Sequence, residues 1–301
     1  MRPLSLFLKH PYEILVSVVL RIKRFVPDEL YLKIIFKSQI NAGYKLNLKN
    51  PQTFNEKCQW MKLYNHNPLY TTLVDKVNVK RYVADKIGEE YVIPIIGVWD
   101  RVDDIKWEEL PNKFVLKCSH DSGGIVICKD KSFLDIDAAK KKLEKSLNYN
   151  YYWEGREWPY KNVPRRVFAE TYMEDKFGEL RDYKFLCFGG VPKILYIATE
   201  RQKHATKFDF FDENFNHLPF TNAHPNAEVM PQKPESFELM KELASKLSEG
   251  IPFVRVDFYE VNGKVYFGEM TFFHMGGMKP FDPKEWDYKL GSWITLPEKI
   301  V

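Results

Sequence analysis

The clearest pattern of hydrophobic and polar positions lies near the C-terminus, between residues 253 and 269. Apolar and polar residues alternate on both sides of Asn262-Gly263, a dipeptide typical of a tight hairpin turn. The alternation predicts two antiparallel strands. Because side chains along a strand point alternately to its two faces, we expect Arg255 and Asp257 on the same face.

The length of the hairpin loop decides where Glu269 lies relative to Asp257. A two-residue loop would place the two carboxylates on opposite faces of the sheet. A three-residue loop, Val261-Asn262-Gly263 with a left-handed glycine, would pair Glu269 with Arg255 and leave it diagonal to Asp257. We predict the three-residue loop, since it gathers two carboxylates and an arginine, and carboxylate oxygens suit Mg²⁺. An amphipathic hairpin with one solvated face is the alternative.

A second predicted hairpin covers residues 114–128 and carries a glycine-rich tip. Lys117 stands at the end of its first strand, and Ser122-Gly123-Gly124 follow in the loop. Backbone N–H groups of such a loop can cover a phosphate chain beside a lysine. The order differs from a Walker loop, in which the lysine follows the glycines. Considered alone, a Ser-Gly-Gly hairpin tip is most often only a turn.

Near the N-terminus, apolar residues recur at helical spacing among basic ones. One face of this predicted helix carries Leu15, Val18, Val19, Ile22 and Val26. Residues 1–49 contain nine Lys and Arg against three acids, a net charge of +6, and the whole chain carries +4, which leaves −2 beyond residue 49. The apolar run at 14–20 is too short to span a bilayer. The helix either binds the inner membrane surface peripherally through residues 1–26 or packs on the body.

Composition, charge and cysteine spacing limit the class of protein. The chain has 301 residues, of which 45% are hydrophobic and 29% charged, enough for two or three packed units. A body of charge −2 is not that of a nucleic-acid binder. The four cysteines have neither CxxC spacing nor a histidine at zinc-ligand distance, so we interpret them as structural thiols of a cytoplasmic enzyme.

The two hairpins and the segments around them resemble the ATP-grasp superfamily, and in particular its TupA-like (teichuronopeptide-biosynthesis) branch. The matching stretches are TFNEK (53–57), DKVNVKRY (75–82), FVLKCSHDSGG (114–124), FAETYM (168–173), DYKF (182–185), and RVDF with YFGEMT (255–258 and 266–271). Their order and spacing make the set specific, and they run from about residue 50 to the C-terminus.

The resemblance implies an α+β fold, in which two α+β subdomains hold ATP between antiparallel sheets after a helical N-terminal extension. The expected division is a basic helical segment at 1–49, an N-terminal subdomain at 50–112, a lid at 113–173 and a C-terminal subdomain with the metal site at 174–301. ATP and Mg²⁺ are the cofactors that this fold implies.

The resemblance also assigns nucleotide-binding roles to individual residues. The matching positions are Lys80, Lys117, Ser122, Gly123, Gly124, Glu170, Tyr172, Met173 and Glu179. The two lysines and the glycine-rich loop would contact phosphates, residues 170–173 would form the hinge facing adenine, and Glu179 or Asp175 would bind the ribose. Simpler alternatives are that Lys76 and Lys80 are solvated helix charges and that Glu179 is a surface acid.

The catalytic and metal-binding positions follow from the C-terminal hairpin. Asp257 and Glu269 match the Mg²⁺ ligands, and Arg255, together with Lys117, matches the groups that stabilise the transferred phosphoryl group. Thr271 stands where many relatives carry a metal-binding asparagine, and its hydroxyl is a weaker ligand. Lys184, included among the cofactor-binding candidates, shares a strand face with Asp182 and either contacts phosphate or acceptor or pairs with that acid. Histidines His120 and His274, beside the motifs, are interpreted as bystanders.

The implied reaction joins a carboxylate to an amine at the expense of ATP, through an acylphosphate. In the TupA-like branch this implies a uronic-acid carboxylate of a bacterial surface polysaccharide as glycan acceptor and an amino acid as amine donor. A glycan kinase, a glycosyltransferase and a non-catalytic nucleotide- or glycan-binding scaffold are the alternatives. Against a glycosyltransferase, Asp103-Asp104 lacks the Asp-x-Asp pattern of that class.

Overall fold

A computed structural model describes residues 11–40, 44–175, 180–200 and 206–301 of the chain. In these ranges the helices are α1 (Pro11–Arg21), α2 (Asp28–Ile40), α3 (Phe54–Tyr64), α4 (Leu69–Val74), α5 (Val79–Ile87), α6 (Ile136–Leu147), α7 (Tyr152–Gly155), α8 (Phe237–Ser248) and α9 (Glu285–Ser292). The strands are β1 (Ile95–Trp99), β2 (Phe114–Cys118), β3 (Ile125–Cys128), β4 (Val167–Thr171), β5 (Asp182–Phe188), β6 (Val191–Thr199), β7 (Lys207–Phe211), β8 (Thr221–Asn222), β9 (Phe253–Val261), β10 (Lys264–Thr271) and β11 (Phe281–Asp282).

The larger sheet is antiparallel and has five strands in the order β10-β9-β5-β6-β7. Its central strand β5 is buried along its whole length, because helices cover both faces of the sheet. On one face Phe185 packs on Phe237 of α8, with ring centroids 6.0 Å apart. On the other face Phe253 makes an edge contact at 4.8 Å with Phe54 of α3. The site described below lies on this second face.

The smaller sheet is also antiparallel, with four strands in the order β1-β4-β2-β3. Helix α6 covers it with the buried side chains of Ala139 and Leu143. This helix begins after Asp135, whose carboxylate accepts a 2.9 Å hydrogen bond from Ala138 N. Since β1 pairs with β4, the predicted boundary after residue 112 falls between elements of one sheet.

Helices α1 and α2 pack together on the body around a small core of their own. Val19 is buried there, with Tyr31, Leu32 and Phe36 of α2 and Met278 of the body. The predicted apolar face of α1 is divided, because Val18 on the same helix is 46% exposed. In the ranges that the structure describes, no helix is long and apolar enough to cross a membrane.

Arg156 fastens these two helices to the irregular segment after α7. The side chain is 1% exposed, its Nε lies 2.8 Å from Asp28 Oδ1, and its Nη2 donates a 3.2 Å hydrogen bond to Val26 O. Its guanidinium also lies 4.2 Å from the centroid of the Tyr31 ring. A buried, paired charge is costly to unpair, so this contact fixes the N-terminal helices to the body.

Candidate functional site

The hairpin of β9 and β10 positions the two carboxylates, and it does so by a route that differs from the predicted one. Val261 pairs with Lys264, so the loop consists only of Asn262 and Gly263. Both loop residues have positive φ, 52° and 79°, as a type I′ turn requires. The predicted three-residue loop is therefore wrong.

A β-bulge in β10 restores the alignment that a two-residue loop alone would have destroyed. The register shifts by one residue between Phe267 and Glu269, with Gly268 as the extra residue. Glu269 consequently stands directly opposite Asp257, and Thr271 opposite Arg255. The predicted pairing of Glu269 with Arg255 is wrong, but both carboxylates share one face as expected.

Close packing explains the glycine at the bulge. A Cβ at position 268 would lie 3.1 Å from the Asp257 carbonyl oxygen and 3.3 Å from the Asp257 Cβ. Both distances are tighter than ordinary contacts, and the nearest atom belongs to the backbone, which cannot easily move. Gly268 thus permits the two strands to approach where the carboxylates meet.

These side chains form a charged group that we call the large-sheet cluster: Asp182, Lys184, Arg255, Asp257 and Glu269. Arg255 donates from Nε and Nη2 to the two carboxylate oxygens of Asp257, both at 2.7 Å, and from Nη2 to Glu269 Oε1 at 2.6 Å. Lys184 also contacts Asp257 and lies 3.5 Å from Asp182. Of the two interpretations of Lys184, the structure shows the pairing with acids.

The environment keeps Glu269 ionised. Burial raises the pKa of its carboxyl, but Arg255, Lys76, Lys184 and Lys117 outweigh that effect and lower the pKa to about 2. Its side chain is 35% exposed, whereas that of Asp257 is 1% exposed. Glu269 is therefore the open, negatively charged end of the large-sheet cluster.

The candidate metal ligands fit a magnesium ion that takes the rest of its ligands from elsewhere. Mg²⁺ in proteins usually binds one or two carboxylates together with phosphates and water. Asp257 and Glu269 supply two carboxylates, and the Thr271 hydroxyl lies 3.5 Å from Glu269 Oε1. Among the described residues there is no group of three or more His, Cys, Asp or Glu that could hold a metal by itself.

The smaller sheet contributes a second group, the small-sheet cluster, consisting of Lys80, Lys117 and Glu170. The Glu170 carboxylate contacts Lys117 Nζ through one oxygen and lies 3.0 Å from Lys80 Nζ through the other. Lys80 also donates a 2.6 Å hydrogen bond to Ile93 O, and burial lowers its pKa. Lys80 is thus a half-buried, paired lysine and not a solvated helix charge.

The loop between β2 and β3 carries the predicted phosphate-covering residues Ser122, Gly123 and Gly124. Gly124 N donates to both carboxylate oxygens of Asp121 at 3.2 Å, which folds the loop back on itself. A Cβ at Gly124 would lie 2.7 Å from Cys118 Sγ, so only glycine fits there. A Cβ at Gly123 would meet a single atom, at 3.9 Å.

Lys76 joins this loop to the large-sheet cluster. Its Nζ donates a 2.5 Å hydrogen bond to the Asp121 carbonyl oxygen and lies 4.0 Å from Glu269 Oε2. Lys76 is therefore no more a simple solvated charge than Lys80. Through Lys76, the candidate phosphate-binding loop of the smaller sheet and the large-sheet cluster meet in one site.

The candidate hinge follows β4 directly. Tyr172 and Met173 are half-buried, and the Tyr172 hydroxyl donates a 2.9 Å hydrogen bond to Glu174. Glu179, the candidate ribose ligand, lies outside the described residues. Asp175, the alternative, is half-buried and lines a cavity of about 990 Å³ together with the 229–235 segment, the start of β5 and the end of β6.

Comparison with known proteins identifies the family of this chain. The sequence profile of the family described as TupA-like ATPgrasp matches residues 56–295. The chain belongs to this family. With its two antiparallel sheets and flanking helices, it is an α+β protein with the ATP-grasp fold. A search of curated proteins found no match.

Solved structures of other ATP-grasp proteins are similar at low identity. D-alanine–D-alanine ligase from Bacillus anthracis complexed with ATP is 17% identical, with 67% of this chain and 55% of that chain covered and a TM-score of 0.41. Biotin carboxylase from Campylobacter jejuni, in a β-γ-ATP complex, is 14% identical, with 75% and 47% covered and a TM-score of 0.41. The chain thus spans about half the length of these structures.

A group of buried residues around the irregular segment 149–164 carries no functional motif in the sequence. Glu157 and Lys62 are buried, and with Tyr151 and Tyr160 they adjoin the large-sheet cluster. The only sequence signal was the density of aromatic and charged residues at 149–164.

The histidines and cysteines have structural contacts. His120 Nε2 lies 3.0 Å from Tyr149 O, and His274 Nε2 lies 3.1 Å from Asn222 Oδ1. Burial lowers the pKa of both histidines, so they are neutral at physiological pH. All four cysteines are free and buried.

Proposed function

We propose that this ATP-grasp protein is an ATP-dependent carboxylate–amine ligase that works through an acylphosphate. The observation that carries the proposal is the position of Lys76, whose Nζ is 2.5 Å from the lid-loop carbonyl of Asp121 and 4.0 Å from Glu269. The lid loop of the smaller sheet and the carboxylate pair of the larger sheet thereby lie on either side of one lysine ammonium, and phosphoryl transfer from ATP requires such a combination of cationic and metal-binding groups.

The residues supply charge stabilisation and alignment, and phosphoryl transfer needs no protein nucleophile. Lys80 and Lys117 would bind the phosphate oxygens of ATP, exchanging part of their contact with Glu170 for the nucleotide. Arg255, held by Asp257 and Glu269, would face the transferred phosphoryl group. The loop containing Ser122, Gly123 and Gly124 would cover the phosphates and exclude water from the acylphosphate.

Asp257 and Glu269 would hold Mg²⁺, with the Thr271 hydroxyl beside them. A bound magnesium ion would neutralise phosphate charge. Asp257 already accepts hydrogen bonds from Arg255 through both oxygens, so the arginine keeps this carboxylate oriented.

The reaction has two steps. A carboxylate oxygen of the acceptor attacks the γ-phosphorus of ATP, and the bond to the β–γ bridging oxygen breaks with its electron pair leaving on ADP. The amine nitrogen, after losing one proton, attacks the acyl carbon. The carbon–oxygen bond to phosphate then breaks, inorganic phosphate leaves with the electron pair, and the nitrogen loses a second proton to give the amide.

For the substrates we propose a uronic-acid carboxylate of a surface polysaccharide and an amino acid. This rests on membership of the TupA-like family and on the substrates that the resemblance to that branch implies.

The test is ATP turnover, scored separately as ADP and inorganic phosphate, with glucuronic and galacturonic acids and a set of amino acids. A ligase forms ADP and phosphate only when both an acid and an amine are present. A phosphorylated sugar would instead identify a glycan kinase, and an absolute requirement for a nucleotide sugar would identify a glycosyltransferase. Tight ATP binding without any turnover would identify a non-catalytic binding scaffold.

A further inference from the structure

Glu157 is a buried carboxylate that makes no direct polar contact in the described part of the chain. It lies in the segment between α7 and β4 and is 7% exposed. Neither a hydrogen bond nor a close ion pair satisfies it there, and Lys62 and Arg255 act on it only as nearby positive charges. A buried, unpaired carboxylate is costly to folding, so a ligand that supplies its missing partner would relieve that cost.

An ammonium group lies near the same point. A Cβ built on Gly276 would be 3.7 Å from Glu157 Oε1 and 3.9 Å from Lys62 Nζ, so both charged groups lie close to one position. Lys62 is 2% exposed, and its one hydrogen bond, at 2.6 Å, goes to Gly276 O. Because a lysine ammonium has three donors, Lys62 retains capacity to bind an anion.

This position adjoins the candidate reaction centre. Gly276 belongs to the turn His274–Gly277, which follows β10 and its carboxylate Glu269. Tyr160 packs on Tyr151 at 5.2 Å, and burial together with the charges of Glu157 and Glu269 raises its pKa. The same tyrosine therefore lies within electrostatic range of both carboxylates.

We propose that Glu157 and Lys62 form the amine-donor subsite and bind a zwitterionic α-amino acid, with Glu157 against its ammonium and Lys62 against its carboxylate. The inference rests on the proposed ligase function and deepens it. An α-amino acid carries opposite charges a few bonds apart, and the two side chains offer the complementary charges close to one position. An uncharged amine has neither the ammonium that Glu157 would bind nor the carboxylate that Lys62 would bind.

The experiment separates acylphosphate formation from amine capture. Hydroxylamine, which carries no carboxylate and is mostly neutral at pH 7, traps an acylphosphate as a coloured hydroxamate. With glucuronic or galacturonic acid, Glu157→Gln is expected to form hydroxamate at the wild-type rate. Its KM for the amino acid most active with the wild type should rise about tenfold or more, as expected for loss of a charge-assisted contact.

A second variant tests the other half of the subsite. Lys62→Met should raise the KM for the amino acid but leave that for its decarboxylated amine unchanged, whereas Glu157→Gln should raise both. Glu154→Gln is the matched control, because Glu154 lies three residues earlier, in α7, and pairs with Lys23 at 2.8 Å. It should leave both constants unchanged.

Thermal unfolding provides a readout that does not depend on activity. Glu157→Gln removes an unpaired buried charge, so its Tm should equal or exceed that of the wild type. A lowered Tm would show that Glu157 serves the fold and would overturn the assignment. Hydroxamate formation with an unchanged amino-acid KM in Glu157→Gln would overturn the subsite alone. No hydroxamate from the wild type with any acid would overturn the ligase proposal and the subsite with it.

A separate observation concerns the exposed side of α1. An apolar stripe runs along it and into the following turn, at 36–88% exposure, and consists of Ile14, Leu15, Val18, Ile22 and Phe25. Arg21 and Arg24 are exposed beside it, and residues 1–49 carry a net charge of +6. Scattered exposed apolar residues are common, but a continuous stripe bordered by basic residues is typical of a membrane-surface helix.

We infer that this stripe docks on an anionic lipid surface. Charge complementarity favours lipid over a second copy of the chain, because two copies would bring two segments of +6 together. The chain should bind vesicles of phosphatidylglycerol and phosphatidylcholine, and each basic residue should contribute about fivefold in affinity at low salt. Pure phosphatidylcholine should bind weakly, and high salt should release the protein.

Point variants test this without disturbing Arg156, whose partners Asp28 and Val26 a truncation would endanger. Val18→Glu and Leu15→Glu should abolish vesicle binding with ATP binding retained. Leu239→Glu on α8, where the leucine is similarly exposed, is the matched control and should bind vesicles like the wild type. Equal binding by all variants, or no binding by the wild type, would overturn the inference. Dimers that Val18→Glu dissolves would show that a second copy covers the stripe.

Discussion

The two charged clusters of this protein are built from the same kinds of side chain in opposite proportions. In the small-sheet cluster two lysines share the single carboxylate of Glu170. In the large-sheet cluster Arg255 and Lys184 face three acids, Asp182, Asp257 and Glu269. One cluster therefore has an excess cation and the other an excess anion. Each excess is the charge left for a ligand: phosphate in the first cluster and a metal ion in the second.

The clusters also differ in how firmly their charges are held. Asp257 is contacted by Arg255 through both oxygens and by Lys184, all from strands of one sheet. The lysines of the small-sheet cluster come from α5 and β2, and each has one contact to Glu170. We expect the large-sheet cluster to be the more rigid, and the small-sheet cluster to exchange its internal contacts for substrate.

Breaking the large-sheet cluster should have the largest effect on activity. Asp257→Asn keeps the size of the side chain but removes the anion, so the ATP turnover rate should fall by about 10²–10³-fold. Measurement of ADP release at several Mg²⁺ concentrations checks this. Asp209→Asn, in which a buried acid of β7 outside both clusters is changed, is the matched control. Wild-type turnover by Asp257→Asn would refute the proposed metal role.

Breaking the small-sheet cluster should act on nucleotide binding. Lys117→Ala removes a cationic contact, so the Kd for ATP should rise by about tenfold to a hundredfold. Calorimetric titration with ATP measures it. Lys113→Ala removes an exposed lysine paired with Glu174 at the surface, and its Kd should not change. If the two variants bind ATP with the same Kd, Lys117 has a structural role and does not contact the nucleotide.

The alignment within the large-sheet cluster can be tested through the bulge. In Gly268→Ala the added methyl group would press on the Asp257 backbone at 3.1 Å, and the free energy of unfolding should fall by about 1–3 kcal/mol. Gly123→Ala, whose methyl would meet one atom at 3.9 Å, should unfold like the wild type. Urea denaturation compares the two variants. Equal midpoints would mean that the strands move apart at position 268 without loss of stability.

The smallest effect is expected at the edge of the large-sheet cluster. Thr271 Oγ1 lies at 3.5 Å from Glu269, a long and weak hydrogen bond, so Thr271→Ala should change turnover by less than about threefold. Steady-state ATP turnover measures this. A loss as large as that of Asp257→Asn would make the hydroxyl an essential ligand.

The sequence predicted what depends on local pattern. Alternation placed Arg255 and Asp257 on one strand face, and Asn262-Gly263 marked the turn. The predicted register of the two strands was wrong because the extra residue lies in β10 and not in the loop. Gly268 inside a strand pattern was the available signal, since an isolated glycine in a strand often marks a bulge.

What the sequence could not provide is contact between distant segments. The Glu170 carboxylate joins Lys80 and Lys117, which precede it by 90 and 53 residues. Glu157 lies in an irregular segment where no period of two or 3.6 residues indicates which side chains point inward. Burial there is decided by the tertiary fold.

The position of Arg156, next to Glu157, connects the N-terminal helices with the proposed amine subsite. Its guanidinium is anchored on the N-terminal helices, through Asp28 and Val26, while the next residue points toward the proposed amine subsite. A ligand that shifts the N-terminal helices would also move the Arg156–Glu157 backbone. A ligand that binds Glu157 would restrain the same backbone. Any such coupling is reciprocal: whatever lipid does to amine affinity, the amine does equally to lipid affinity.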